Sequence, residues 1–267
     1  MTRRRLDAEL VRRSLARSRE QARELIESGL VRVGGTPATK PATVVDAGAA
    51  IVVTVEPAAA SYVSRGAHKL AGALDALGPD GPVVAGRDCL DAGASTGGFT
   101  DVLLRRGARS VVAVDVGYGQ LAWSLQRDPR VIVVDRTNVR DLRPEQLPVV
   151  PQVVVADLSF ISLRLVLPAL IAAAAPQADL LVMVKPQFEV GRELLGAGGV
   201  VRDRGLRVAA VRRIADEAWA LGLGTAATTA SPLPGPRGNV EYFLWLRAGA
   251  PPPREADIVR AVEEGPA

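Results

Sequence analysis

The sequence predicts an α/β fold in which a mostly parallel sheet of seven strands follows a small N-terminal α+β module. From residue 65 onward, short apolar segments alternate with stretches of helical periodicity, which is typical of parallel strands covered by helices on both faces. Before that point, two arginine-rich helical segments precede a group of short strands. We therefore predict a first module at 1–59, a linker at 60–64, a second module at 65–248 and a C-terminal tail at 249–267 whose composition allows it to be loose.

Two amphipathic helices are predicted to open the first module. Leu6, Leu10 and Leu15 fall on one helical face, with arginines elsewhere. The segment Ser18–Gln21 matches a capping box, which predicts the start of a second helix. Gly29 can end that helix, and the segments LVRV and AIVVTVEP, with a GGTP turn between them, indicate short strands.

The first module also carries the excess positive charge of the chain. The net charge is +5 over the first 69 residues and −1 over the remaining 198, which together give the overall +4. A basic module on a nearly neutral body favours a polyanionic partner. A solvated arginine-rich face is the alternative.

The second module is predicted to alternate strands and helices. The predicted strands are 88–93, 111–115, 131–134, 153–157, 179–184, 223–229 and 240–246, and helices at 97–106, 118–126, 162–173 and 204–221 fit between them.

The counts of cysteine and histidine limit which disulfides and metal sites the chain can form. The chain has one cysteine, Cys89, and one histidine, His68, so we expect no internal disulfide and no metal site. The N-terminus has no apolar segment of the length that a signal peptide needs, and no run of about 18 uncharged apolar residues occurs. We therefore expect a cytoplasmic protein that does not enter the membrane.

The stretch DAGASTGGFT, from Asp91 to Thr100, predicts a nucleotide pocket at the end of a strand. Its glycines allow the backbone to approach a ligand closely. The match to the dinucleotide pattern is poor, because Ser95 stands where the second glycine belongs, and no lysine follows as in a phosphate-binding loop. The alternative is a tight strand-to-helix turn without a ligand.

A second acidic residue supports an adenosine ligand. Asp115 ends the next strand, 22 residues after Gly93, where a carboxylate can accept hydrogen bonds from ribose hydroxyls. NAD and S-adenosylmethionine both fit this arrangement. The segments LDAGASTGGFT and VDVGYGQL resemble the methyltransferase version, which implies that Asp91 steadies the turn and faces the methionine amine.

Four charged residues are expected to meet at one edge of the sheet. Asp157 and Lys185 each follow an apolar strand, Glu241 opens the last strand, and Lys69 lies near the start of the helix before the sheet. Glu241 reaches the shared edge if the last strand is antiparallel. Taken singly, Asp157 could be a helix cap, Lys69 a surface lysine and Glu241 an edge-strand acid.

Together these four residues resemble the Lys-Asp-Lys-Glu tetrad of FtsJ-like RNA ribose 2′-O-methyltransferases. Methyl transfer from a sulfonium needs an in-line nucleophile, and a ribose hydroxyl is a weak one, so positioning and proton removal both help. The resemblance implies that Lys185 is the central group and that Asp157 is its partner near the donor. Lys69 and Glu241 would orient the ribose.

The first module resembles the RNA-binding domain of the ribosomal-protein S-four type, through RLD, SREQARELIESG and VRVGG. The resemblance implies structured RNA as the partner, and guanidinium groups bind phosphate without reading sequence. The candidate RNA contacts are Arg4, Arg5, Arg17, Arg19, Lys40 and Arg65.

The whole chain resembles the TlyA family, through VSRGAHKL, CLDAGASTGGFTDVLL, VKPQFEVG and SPLPGPRGNVEYFLWL. The resemblance implies a Rossmann-like class I fold that uses S-adenosylmethionine to methylate cytidine 2′-hydroxyls of rRNA, in the small subunit and, for the two-target type, also in the large subunit. The candidate cofactor contacts are Asp91, Gly93, Ala94, Ser95, Gly97, Gly98, Phe99, Asp115, Val116, Asn138 and Asp157.

Two observations limit which properties of the family can be expected of this chain. Mycobacterial members carry Arg-x-Trp-Val between the modules, whereas this chain has Ala60-Ser61-Tyr62-Val63, which leaves its cofactor affinity open. The family also carries a haemolysin label, so a lytic protein is an alternative, as are a non-catalytic RNA-binding or assembly protein and a dehydrogenase. The glycine-rich segment VGRELLGAGGVVRD could order over RNA or simply connect two elements.

Overall fold

The computed structural model describes residues 3–16, 18–27, 29–46, 48–53 and 62–266. Its contacts divide the chain into two compact units, Met1–Ser61 and Tyr62–Ala267.

The first unit is a small α+β module, as predicted. Its elements are β1 Arg3–Arg5, α1 Leu6–Arg12, α2 Arg19–Glu27, β2 Val31–Val33, β3 Thr36–Pro37, β4 Val44–Asp46 and β5 Ile51–Val53. Among the described residues, β1 pairs with β4 and the other strands form an antiparallel sheet in the order β3-β2-β5.

A small apolar core holds this unit together. Leu6 and Leu10 of α1 pack with Ala22 and Ile26 of α2 and with Val31 of β2. The spacing of these residues by three or four positions places each set on one helical face.

The predicted helix ends of this unit also form. The Ser18 hydroxyl accepts a hydrogen bond from the Gln21 amide at 3.1 Å, which caps α2. Gly29 follows the helix with a positive φ of 73°, a conformation that glycine adopts without strain.

The second unit alternates strands and helices along the chain. Its first elements are α3 Gly66–Leu77, β6 Asp88–Ala92, α4 Gly98–Arg105, β7 Ser110–Val114, α5 Trp123–Gln126, β8 Val131–Val134 and β9 Val153–Ala156. The chain continues through α6 Leu167–Ala173, β10 Asp179–Val184, α7 Pro186–Glu189, α8 Arg204–Ala220, β11 Gly224–Ala230, β12 Tyr242–Arg247 and α9 Glu255–Glu264.

The described residues of this unit form a seven-stranded sheet in the order β11-β12-β10-β9-β6-β7-β8. The strands from β10 to β8 in that order run parallel to one another, while β12 is antiparallel to both β10 and β11. The predicted mostly parallel sheet is confirmed, and the direction of β12 brings its start to the carboxyl ends of the parallel strands.

The sheet is covered on both faces by apolar clusters. One face packs against α6, α8 and α9, and the other packs against α3, α4 and α5. The central strands β9 and β10 are almost entirely apolar, because both of their faces are buried.

Two predicted helices are shorter than expected. The predicted helix 118–126 is reduced to α5, because the Asp115 and Asp135 carboxylates accept the amides of Gly117 and Gly119 and hold the preceding residues in a turn. The predicted helix 162–173 divides into a 3₁₀ turn at Leu163–Leu165 and α6, in which a proline lies at the start.

The prediction of a loose C-terminal tail at 249–267 is wrong for most of that range. The structure places α9 there, and α9 packs against β11 and α8. Ile258, Ala261 and Val262 are buried in the core, and their spacing forms the apolar stripe of an amphipathic helix. This pattern is present in the sequence but is short and is flanked by prolines and glycine.

Candidate active site

The glycine-rich turn between β6 and α4 allows a close backbone approach. Gly93 has a φ of 88°, and a Cβ on it would lie 2.5 Å from the Asp157 carbonyl oxygen. Gly97 has a φ of 96° and precedes the first turn of α4, which starts at Gly98. Any larger residue at position 93 would strain the backbone and collide with the residue that follows β9. Glycine is therefore required for the close approach of these two chain segments.

Asp91 places a fully buried carboxyl group beneath this turn. Its Oδ2 accepts a hydrogen bond from the Thr100 hydroxyl at 2.7 Å. Its Oδ1 is buried and has no hydrogen-bond partner within the described ranges. Burial raises the pKa of Asp91 to about 7, and the negative charges of Asp157 and Asp115 add to that increase. The buried Oδ1 of Asp91, which lacks a hydrogen-bond donor, is suited to accept one from a positively charged group.

Asp115 joins the turn after β6 to the turn after β7. Its Oδ2 accepts the Ser95 amide at 2.8 Å, and its Oδ1 accepts the Gly117 amide at 2.7 Å. Ser95 has a positive φ of 49°. Val116, the next residue, is largely exposed at the tip of β7.

The remaining cofactor candidates have different surroundings. Ala94 is buried. The Phe99 ring lies in the core, 6.1 Å from the ring of Phe243, so only its backbone is open to a ligand. The Asn138 side chain is exposed, and its Oδ1 accepts the Arg140 amide at 3.0 Å as the cap of a 3₁₀ turn.

The four charged residues of the predicted tetrad form two ion pairs among the described residues. Lys185 Nζ lies 2.6 Å from Asp157 Oδ1, and Lys69 Nζ lies 2.5 Å from Glu241 Oε2. Glu241 is 1% exposed, and the two lysine side chains are each 9% exposed. Buried charges of this kind need their partners to offset the loss of hydration.

Ser159 is an additional member of the site that the sequence analysis did not identify. Its hydroxyl accepts a hydrogen bond from Lys185 Nζ at 3.0 Å. Serine after a strand is common in turns, so the sequence alone gives no signal that distinguishes it.

The sheet register explains why the two pairs lie at one edge. Val184 of β10 lies opposite Tyr242 of β12 in an antiparallel pair. Lys185 follows the first and Glu241 precedes the second, so extending the register by one residue places them opposite each other and on the same face. Lys69 comes from α3, which packs on β11 and α4.

The RNA-contact candidates of the first unit differ in their bonding. Arg4 and Lys40 are exposed. Arg5 binds both oxygens of Asp7, at 3.1 and 2.9 Å, and Arg19 binds Asp7 Oδ2 at 3.1 Å. These bonds lower the pKa of Asp7 to about 2, with the hydrogen bond from Arg5 as the largest cause. Arg17 lies outside the described residues.

Arg65 and the linker residues 62–64 lie in the second unit. Arg65 donates to the Pro234 carbonyl at 3.4 Å. The Tyr62 ring meets the His68 ring edge to face, and the Arg105 guanidinium lies 4.5 Å from the centre of the Tyr62 ring. The Val63 amide donates to Asp101 at 2.9 Å. Ala60 and Ser61 lie outside the described residues.

Among the described residues, none of the helices combines the length and the hydrophobicity that a membrane span needs. No group of three or more histidine, cysteine, aspartate or glutamate residues in that part of the chain is arranged to hold a metal ion.

Comparisons with known proteins identify the family. The FtsJ-like methyltransferase family matches residues 62–248, and the S4 domain family matches residues 4–51. The 16S/23S rRNA (cytidine-2'-O)-methyltransferase TlyA of Mycobacterium tuberculosis is 58% identical over 267 residues, which cover 98% of this chain and 98% of the relative. The chain belongs to the TlyA family of FtsJ-like methyltransferases.

Two further proteins are similar to this chain over almost its whole length. YqxC of Bacillus subtilis, named provisionally as an rRNA methyltransferase, is 41% identical over 268 residues, or 97% of this chain and 93% of the relative. A solved structure from Streptococcus thermophilus, named provisionally as a hemolysin, has a TM-score of 0.77 at 35% identity and covers 99% of this chain and 96% of its own. The predicted family and fold are confirmed, and this TlyA-family chain is a methyltransferase.

Proposed function

We propose that the protein transfers a methyl group from S-adenosylmethionine to the ribose 2′-hydroxyl of cytidine in rRNA. The observation that carries the proposal is the pair of buried lysine–carboxylate contacts at the sheet edge that also holds the glycine-rich turn. The M. tuberculosis relative is named for this reaction on 16S and 23S rRNA. By the same argument we propose ribosomal subunits as the substrate, the small one and also the large one, and the cytoplasm as the location.

The residues around the glycine-rich turn fit S-adenosylmethionine. The unpartnered Oδ1 of Asp91 is suited to accept a hydrogen bond from the methionine ammonium. Asp115 stands at the tip of β7, where a carboxylate reaches the ribose hydroxyls of an adenosine ligand. Gly93 carries no side chain and lets the turn after β6 lie directly against the Asp157 carbonyl, which keeps bulk away from this edge of the sheet. When bound, this cofactor supplies a methyl group on a positively charged sulfur.

Lys185 is proposed to hold the target hydroxyl. Its ammonium carries three N–H donors, of which one is donated to Ser159, while Asp157 Oδ1 lies 2.6 Å away as an ion-pair partner. A further donor is available to the ribose oxygen, whose lone pair it can direct and whose developing negative charge it can stabilise. Asp157 contacts Lys185, and its backbone lies against Gly93, which supports its proposed role near the methyl donor.

Lys69 and Glu241 are proposed to orient the ribose from the other side. Their mutual ion pair is buried, which restricts the conformations of both side chains. A fixed pair of this kind offers one donor and one acceptor to neighbouring sugar hydroxyls, which restricts the sugar to one orientation.

The decisive experiment measures transfer of a labelled methyl group from S-adenosylmethionine to separated, unmodified ribosomal subunits. Lys185→Ala is expected to lower the rate by at least about 100-fold, because the group that positions the hydroxyl is lost. RNA binding and cofactor binding should persist. Arg87→Ala, an exposed change where β6 begins, serves as the matched control and should retain activity.

The result has two clear readings. Label on rRNA from the wild type and the control but not from Lys185→Ala supports the proposal, and its distribution between subunits identifies the targets. Normal transfer by Lys185→Ala would remove Lys185 from the reaction. Absence of label with all three proteins, despite cofactor binding, would exclude these subunits as substrates.

A further inference from the structure

Two loop segments at the edge of the candidate active site are tied together by one buried side chain. Asn239 is 3% exposed. Its Oδ1 accepts the Val201 amide at 2.9 Å, and its Nδ2 donates to the Gly199 carbonyl at 3.0 Å. The Arg207 guanidinium also donates to the Val201 carbonyl at 2.8 Å. The glycine-rich segment before α8 is therefore fixed to the segment before β12.

The segment before β12 lies directly against the Lys69–Glu241 pair. A Cβ on Gly235 would lie 2.7 Å from Glu241 Oε1. On α3, a Cβ on Gly72 would lie 2.6 Å from the Pro232 ring. The segment therefore packs between α3 and Glu241. It lies next to the Lys69–Glu241 pair that is proposed to orient the ribose.

Three arginines lie along these two segments: Arg65, Arg202 and Arg237. We call them the arginine rim. Arg65 donates to the Pro234 carbonyl at 3.4 Å. The Arg237 guanidinium lies 3.9 Å from the position of a Cβ on Gly199. That of Arg202 lies 3.7 Å from the corresponding position on Gly196. All three arginines are exposed.

The arginine rim differs from the ion-paired arginines of this unit. Within the described ranges, no carboxylate lies within ion-pair distance of any of its three guanidinium groups. Elsewhere in the unit, arginines commonly have such a partner, as in the pairs Arg106–Asp75, Arg109–Asp88, Arg130–Asp128 and Arg164–Glu217. Like charges that gather without counter-charges raise the energy of the free protein and are expected where a polyanion binds.

The nearby acidic groups do not cancel this charge. Glu241 is already paired with Lys69. Asp203 follows Arg202 in the chain, but its Oδ1 accepts the Leu206 amide at 2.8 Å and caps α8. The rim therefore presents guanidinium groups whose donors are available to an outside anion.

We infer that the arginine rim binds the phosphates that flank the target ribose, as a second RNA-contact surface on the catalytic unit itself. Guanidinium groups bind phosphate oxygens in a two-point geometry and fix the position of the strand without reading its sequence. Because Asn239 ties Arg202 and Arg237 to the segment beside Glu241, phosphate binding and ribose placement are mechanically linked. This inference rests on the proposed function.

The test compares two double variants of the full chain that remove the same charge. Arg202→Gln with Arg237→Gln removes two members of the rim. Arg87→Gln with Arg247→Gln removes two exposed arginines that also have no ion-pair partner within the described ranges; they lie where β6 begins and β12 ends, at the opposite edge of the sheet. Methyl transfer to ribosomal subunits and binding to protein-free rRNA are measured for both at several salt concentrations.

The rim variant is expected to raise the KM for subunits about tenfold with little change in kcat, and to reduce the slope of log affinity against log salt by about 1.5 to 2. The control variant should match the wild type. Lysines at positions 202 and 237 should restore part of the affinity but not all of it, because lysine lacks the two-point geometry.

Several outcomes would overturn the inference. Equal KM values and salt slopes for the two variants would show that the rim makes no phosphate contact. Weaker transfer to subunits with unchanged binding to protein-free rRNA would assign the rim to a ribosomal protein instead. If the wild type transfers no methyl group to subunits, the proposed function fails, while the rRNA binding measurements still decide the role of the rim.

Discussion

Asp7 lies almost fully buried beneath two arginines that are candidates for RNA contact. Arg5 uses two of its nitrogens on this carboxylate, and Arg19 uses a third bond. The carboxylate therefore fixes the direction of both guanidinium groups before any RNA arrives. Preorganised side chains lose less entropy on binding.

The anchoring of Arg5 and Arg19 by Asp7 predicts an effect on RNA binding that is opposite to the one expected from net charge alone. Asp7→Asn makes the protein more positive, yet we expect it to weaken binding to protein-free rRNA about 3- to 10-fold, because Arg5 and Arg19 lose their common anchor. Glu27→Gln, an exposed change in α2, raises the net charge equally and should leave binding unchanged or slightly tighter. Filter binding of both variants decides, and tighter binding by Asp7→Asn would contradict the positioning role.

Asp91 gives a second prediction at this scale. Its pKa is raised to about 7, chiefly by burial, so the free protein loses stability as the pH rises from the ordinary carboxyl range through about 7. A ligand ammonium beside Asp91 favours the charged carboxylate. The affinity for S-adenosylmethionine should therefore increase with pH up to about 7, by at most about tenfold per pH unit, and then level off.

Calorimetric titration with S-adenosylmethionine at about pH 6, 7 and 8 measures this effect. Asp91→Asn should bind more weakly and show a much flatter pH profile. A wild-type profile that is equally flat would mean that Asp91 does not titrate in the cofactor site.

The identity of single site residues was only partly readable from the sequence. Asp157, Lys185 and Glu241 stand at strand ends, and a parallel sheet brings such positions to one edge. Ser159 could not be found in this way, because its role depends on where the Lys185 ammonium lies. Phe99 was counted among the ligand contacts, but its ring packs in the core, since α4 turns that face toward β12.

At the scale of whole elements, strands were predicted more closely than helices. The predicted strand at 179–184 corresponds to β10 at Asp179–Val184, because its apolar run has clear limits. The short α5 was overestimated because side-chain acceptors on other strands bend the preceding residues. Long-range contacts of this kind leave no local pattern.

The C-terminal helix α9 allows a stability prediction. Ile258 is 1% exposed and packs in the same core as β12 and α8. Ile258→Ala is expected to lower the free energy of unfolding by about 2–5 kcal/mol, while Ile258→Val should cost about 0.5–1.5 kcal/mol. Urea denaturation of the full chain measures both variants, and a negligible effect of Ile258→Ala would show that α9 does not contribute to this core.

Across the whole molecule, the candidate active site is a property of the fold rather than of any one segment. Its charged residues come from α3 and from the ends of β9, β10 and β12. The sequence predicts that they share an edge, and the parallel pairing of β9 with β10 brings Asp157 to Lys185. The pairing of Lys69 with Glu241 depends instead on the antiparallel direction of β12 and on how α3 packs. Neither is encoded in local periodicity.

The separation of 172 positions between Lys69 and Glu241 bears on the timing of synthesis. A ribosome that adds about 5–20 residues per second needs roughly 10–35 s to pass from the first to the second. Throughout that interval the growing polypeptide has only one side of its ion pair, and β12 is absent from the sheet. A nascent chain therefore cannot assemble the four charged residues into one site before Glu241 and β12 have been synthesised.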